Sequence, residues 1–306
     1  MTSMAFRLDL QKEPTSAARK TLNKRLTKAA ARAERGDPDE ALHDARKDLK
    51  KSRSLLRLLR PALPGELYDQ EMATLREIAR ALSAARDAEV LPATLTALRE
   101  SCPNEVPEVA YVTLETRLLK VGDGSAAGQT LQERVGDLEE ATHRVEQWAL
   151  HDLDWDDIVR RLATSYRRGQ RAMEAARSEP SDERLHEWRK RVKDLLYQSQ
   201  LLADAWPAVL EVYAAQAHEL ADLLGDDHDL AVLLSTIESD GEAPPAVEPI
   251  VRLARRRRDY LQTQARRLGG LLYAEPPKAF RQWVAAMVAA RRSQDEGGDV
   301  SFDCAA

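Results

Sequence analysis

Two stretches of this chain carry the same polar residues at the same spacing. "LHDARKDLKKSRSLLRLL", beginning at Leu42, contains H-x-x-R-K-x-x-K as His43, Arg46, Lys47 and Lys50. "LHEWRKRVKDLLYQSQLL", beginning at Leu185, repeats it as His186, Arg189, Lys190 and Lys193. On a helix, His43, Arg46, Lys47, Lys50 and Arg57 share one side, and Leu42, Ala45, Leu49, Leu56 and Leu59 take the other. In the second stretch His186, Arg189, Lys190, Lys193 and Tyr197 oppose Leu185, Trp188, Val192, Leu195 and Leu202. Like charges at these spacings cost a few tenths of a kcal/mol per pair, about 0.2–0.5. A bound polyanion would offset that cost. Arginine grips phosphate oxygens with two prongs, and lysine adds a mobile point charge.

Further stripes extend the pattern. Arg25, Lys28 and Arg32 precede the first motif; Arg161, Arg168 and Arg171 precede the second. Near the C-terminus "RLARRRRDYLQTQARR" adds Arg252, Arg255, Arg256, Arg266 and Arg267 along another face. Any one stripe reads as a solvated face. The same cationic excess at matching offsets, in a chain of net charge −5, favours an anion site. His43 and His186 open the two motifs. Each either donates to phosphate or, neutral, braces a helix contact.

Carboxylates raise a different chemistry. "GDDHDL" (Gly225 to Leu230) offers Asp226, Asp227, His228 and Asp229 as candidate metal ligands. They are too close in sequence to converge from one regular helix. Asp87 and Asp229, which align between the halves, are expected instead to brace a nearby arginine or lysine. His–Asp pairs at 43–44, 151–152 and 228–229 raise a metal-dependent phosphohydrolase as an alternative. Cations crowd the first pair, and its two side chains point in adjacent directions. There is no glycine-rich phosphate loop and no nucleophile in a recognisable setting. The expectation is a binding module, not an enzyme, with no cofactor and no metal. Nucleic-acid binding through the same stripes is a further alternative, disfavoured because few aromatics interleave with the basic residues.

The elements that must position these residues are helices. The chain has 306 residues, 32% charged and 5% aromatic, without runs of alternating β-branched residues. Patterning predicts helices over 16–35, 38–60, 65–99 and 107–149, then 155–178, 181–204, 207–238 and 246–290. Breaks are expected at "VGDGSAAG" and "YAEPPKAF", and Asp37 and Ser181 are candidate caps. "ARALSAARDAEVL" aligns with "ADLLGDDHDLAVL", placing Asp87 against Asp229 with a one-residue slip. The fold expected is all-α: two pseudo-symmetric four-helix bundles from an internal duplication, sharing a basic central surface. One domain would span 1–290, its halves 1–150 and 151–290, with 291–306 a disordered tail. Two cysteines make no disulfide framework. The N-terminus meets charge too early for a secretory leader, and no apolar run would span a membrane. A cytoplasmic protein is expected.

The paired H-x-x-R-K-x-x-K motifs and "DLLGDDHDLAVLL" resemble the conserved histidine α-helical domain, CHAD, over nearly all of residues 5–290. The resemblance implies two four-helix bundles whose basic central surface binds inorganic polyphosphate, in some members on polyphosphate granules. It implies contacts from Arg25, Lys28, His43, Arg46, Lys47, Lys50 and Arg57. From the second half it implies Arg168, Arg171, His186, Arg189, Lys190 and Lys193. Two positions depart from the pattern. Leu196 stands where a basic residue is usual, and Ser83 replaces the glycine seen at Gly225. The triphosphate tunnel enzymes to which the family is often joined carry a strand motif E-x-E-x-K, which this chain lacks.

Overall fold

Leucine, alanine and arginine spaced for amphipathic helices give an all-α chain. The structure is a computed structural model and describes residues 6–32, 38–84, 87–118, 131–239 and 245–296. The helices are α1 (Pro14–Ala31), α2 (Pro38–Leu58), α3 (Gly65–Ala84), α4 (Asp87–Ser101), α5 (Glu108–Leu118) and α6 (Val135–Gln147). They continue as α7 (Trp155–Ser178), α8 (Asp182–Leu201), α9 (Pro207–Ser239), α10 (Glu248–Leu272) and α11 (Pro277–Glu296).

Helix starts follow local chemistry. Pro14, Pro38, Pro207 and Pro277 each open a helix, where the missing N–H costs nothing. α7 begins with a reciprocal capping box. Asp154 accepts from the Asp157 N–H at 2.7 Å, and Asp157 accepts from the Asp154 N–H at 3.3 Å. Ser181 caps α8, its hydroxyl accepting from the Arg184 N–H at 3.3 Å. Asp37 and "VGDGSAAG" lie outside the described residues. The break at "YAEPPKAF" separates α10 from α11, and the single helix expected over 65–99 is divided into α3 and α4. The expected tail needs correction at its start: α11 runs on to Glu296, and 297–306 lie outside the described residues.

In the first half α1, α2, α3 and α6 pack together; in the second, α7, α8, the first part of α9, and α11. One apolar core runs through both groups and includes Leu22, Leu49 and Leu56 as well as Trp188, Leu195 and Leu220. Burying each such leucine stabilises by about 1.5–3 kcal/mol. A second core joins the halves differently. Leu95, Leu98 and Leu114 of α4 and α5 pack on Leu233, Ile237, Leu253 and Leu261 of α9 and α10. Two helical arms, one from each half, therefore meet beyond the bundles. Among the described residues no helix is long and apolar enough to cross a membrane.

Glycine decides two close approaches. An added Cβ at Gly169 would lie 2.2 Å from the Tyr273 hydroxyl, and one at Gly269 would lie 2.6 Å from the Trp188 ring. Both aromatic side chains are buried, so neither has room to retreat.

Candidate functional site

The site begins where α2 crosses α8. Ser52 and Ser54 are fully buried and small enough to let the two helices approach. The Ser54 hydroxyl donates to the Asp194 carbonyl at 3.3 Å, and the Gln198 amide donates to the Ser54 carbonyl at 3.2 Å. This crossing brings the cationic rows of both helices to one cavity of about 1320 Å³. α2 contributes Arg46, Lys50, Arg53 and Arg57; α8 contributes Arg189, Lys190, Arg191 and Lys193; α10 contributes Arg257. The arms close the opposite side, with Leu91, Thr94 and Leu98 from α4 and Leu230 and Val232 from α9.

Nine basic side chains line the cavity against three carboxylates, Asp194, Asp226 and Asp229. Asp194 offsets part of the charge. It lies 2.9 Å from Arg57 and 3.4 Å from Arg191. Burial pushes its carboxyl up, while those guanidiniums and Arg53 pull it down. Others have no carboxylate at pairing distance among the described residues: Arg53, Arg189 and Lys193. Desolvation, reinforced by Arg57 and Arg76, pushes Arg53 down to about 10. Desolvation, with Arg189 and Arg46 adding repulsion, pushes Lys193 down to about 8. Arg189 Nε and Arg53 Nε are buried with no hydrogen-bond partner among the described residues. The Arg189 guanidinium lies over Gly225, where an added Cβ would stand 3.1 Å from its Nη2. Such a cluster of cations can hold an anion with several oxygens.

The sequence profile of the CHAD domain matches residues 16–238. The chain belongs to the CHAD domain family. A solved structure, that of the CHAD domain from the plant Ricinus communis, is similar at 19% identity with a TM-score of 0.57. That match covers 94% of this chain and 96% of the other, and it shows the CHAD fold. No curated protein matches the chain. The profile ends within α9, and α10 and α11 complete the two cores of this CHAD protein.

Within the CHAD fold, Arg46, Lys50, Arg57, His186, Arg189, Lys190 and Lys193 come together at the cavity as the sequence suggests. Arg25 requires correction. It is buried, 3.3 Å from Asp48 and stacked 5.0 Å over Phe6, so it holds α1 to α2 and cannot touch a ligand in the cavity. Lys28, His43, Lys47, Arg168 and Arg171 are exposed and do not line the cavity. At about 100° per residue, Lys47 is turned by about 90° from the row formed by 46, 50, 53 and 57, and His43 lies before that row, nearer the start of α2. Arg252, Arg255 and Arg256 are also displaced to the outer face of α10. There they meet Glu248 at 3.7 Å, Glu238 at 2.9 Å, and Glu105.

Asp229 lines the cavity, where its charge favours the Lys193 ammonium, and buried Asp227 accepts from Arg258 Nε at 3.0 Å and Gln262 at 2.9 Å. The Asp87 side chain lies outside the described residues. Asp226, Asp227 and Asp229 do not converge, and among the described residues no group of His, Cys, Asp and Glu is arranged to hold a metal ion. Sequence reading missed Arg53, Arg191 and Arg257, and took His228 only as a candidate metal ligand. Arg53 falls within about 60° of Arg46, Lys50 and Arg57 on a helical wheel, and that spacing marks it. Arg257 sits four residues from both Leu253 and Leu261, on the buried side of its arginine run.

Proposed function

We propose that this CHAD protein binds inorganic polyphosphate in the cavity between α2 and α8. In this reading it is a cytoplasmic binding module and not an enzyme, acting at polyphosphate granules or beside the enzymes of polyphosphate metabolism. One observation carries the reading: two cationic rows from distant parts of a net-acidic chain converge on one cavity. Along each helix, cations recur about every 5.4 Å, one turn, which suits a ligand charged along its length. A linear phosphate chain presents oxygens to each guanidinium in turn and carries no bases that need a stacking surface. Among the described residues Tyr197 is the one aromatic ring of the cavity wall besides the histidines, and it is buried. That arrangement favours polyphosphate over single-stranded nucleic acid.

The test replaces Arg46, Lys50, Arg189 and Lys193 with glutamate and measures binding of labelled polyphosphate by fluorescence anisotropy. Each lost charge-assisted contact is worth about 1.5–3 kcal/mol, so affinity should fall at least about a hundredfold. A variant with native circular dichroism and parental affinity would overturn the reading. An excess of RNA or single-stranded DNA should displace polyphosphate poorly. Phosphate release from long-chain polyphosphate with magnesium or manganese, lost on Asp229→Ala, would assign an enzyme instead.

A further inference from the structure

His186 of α8 and His228 of α9 face each other at the cavity wall, ring centroids 4.5 Å apart and planes tilted by 41°. Two imidazoles so close cannot both be charged at low cost without a neighbouring anion. Cations and carboxylates both surround them. α8 brings Arg189 and Lys190, α2 brings Arg46 and Lys50, and α10 brings Arg257. Carboxylates stand behind them: Glu187 and Asp182 on α8, and Asp226, Asp227 and Asp229 on α9. Asp227 is committed to Arg258 and Gln262, and Glu187 to Arg191 and Lys190. His186 Nδ1 is buried and lacks a hydrogen-bond partner among the described residues. His186 is thus a proton acceptor with no carboxylate bonded at that nitrogen, while Asp229, Asp227 and Asp182 lie near His228.

We propose that the cavity binds its polyanion together with a proton, taken up by the His186–His228 pair. The inference rests on the polyphosphate reading and specifies how that site is regulated. In the empty cavity desolvation, reinforced by the facing ring and the nearby cations, lowers His186 to about 4. Desolvation and Arg189 also lower His228, against the opposing pull of Asp229, Asp227 and Asp182. A bound phosphate chain neutralises those cations and supplies acceptors for an imidazolium, reversing the electrostatic part of the shift. One imidazole then gains a proton from water, and the bound form carries one more positive charge than the free form. Affinity therefore climbs as pH falls, by up to about tenfold per pH unit between the free and bound titrations. The ligand is held more firmly in acidic surroundings and released as pH rises.

The experiment uses the whole chain with 13C-labelled histidine, His186→Gln and His228→Gln spectra providing assignments. Long-chain polyphosphate is the probe, because its internal phosphates stay ionised throughout the range. In the free protein both imidazoles should titrate below 6.5, and polyphosphate should move at least one of them upward. Calorimetry at pH 6 in two buffers of different ionisation enthalpy should record uptake of close to one proton per cavity, lost in either Gln variant. Ordinary titration of both histidines in the free protein overturns the inference before any ligand is added. Tight binding with no proton uptake and no histidine shift overturns it while leaving the polyphosphate reading intact. No binding at any pH overturns both.

Discussion

Lys193 is held where its own charge is unfavourable. Mostly out of water and next to Arg189 and Arg46, it loses its proton at about 8. Its ordinary value is near 10.4, so between about 8 and 10.5 the unfolded chain binds more protons than the folded one. The resulting penalty on folding is complete below about pH 8 and fades as pH rises towards 10.5. Lys193→Met should therefore raise the Tm of the ligand-free protein at pH 7 by about 2–4 °C, and the gain should shrink above pH 8. The same variant should lose most of the Tm increase that polyphosphate gives the parent. A lower or unchanged Tm at pH 7 would mean that packing of the lysine stem outweighs its charge. Asp194 has the opposite role. Asp194→Ala leaves Arg57 without its carboxylate while Arg191 keeps Glu187, and chemical denaturation should show a loss of about 1–3 kcal/mol. These roles were only partly legible in the sequence. The repeated motif marks Arg46 and Arg189 because both follow one rule on one helix. His228 has no equivalent in the first half, where Arg86 stands, so only tertiary structure pairs it with His186.

Helix α2 and helix α8 set the distance between the cationic rows, and they do so through small uncharged residues. Ser54 sits at their crossing with no exposed surface. Ser54→Leu forces the helices apart, which should cost about 1–3 kcal/mol and weaken polyphosphate binding without altering any charge. Measuring stability and affinity on the same variant separates this from a lost contact. An affinity equal to the parent would show that the rows work independently of their separation. α7 and α10 offer a second check on packing. Gly169→Ala drives a methyl group into the Tyr273 hydroxyl. It should destabilise by a similar amount despite the better helix propensity of alanine. The helices themselves were readable because leucine periodicity, proline starts and the Ser181 cap all agree. Their crossing was not, since serines at 52 and 54 look like surface residues until the partner helix covers them.

The molecule as a whole carries net charge −5, yet its cavity wall is strongly cationic. Separation of charge at this scale is what the sequence conceals. Basic residues on the outer faces look the same in the chain as those facing inward, and only packing divides them. Arg252, Arg255 and Arg256 show the difference, each meeting a glutamate at the surface where exposed pairs contribute about 0–1 kcal/mol. A salt titration distinguishes the two classes. Each phosphate contact that releases a counterion adds about −0.7 to the slope of log K against log salt for a single-stranded polyanion. Nine lining cations at about −0.7 each set a limit near −6 on that slope. Lys50→Gln and Arg189→Gln should each make it shallower by about 0.7. Arg255→Gln with Arg256→Gln should leave both slope and affinity within about twofold of the parent, since those side chains already meet carboxylates outside the cavity. If the outer pair changed the slope as much as the inner residues do, the polymer would be running over the arm of α10. The cavity between α2 and α8 would then not be the principal contact.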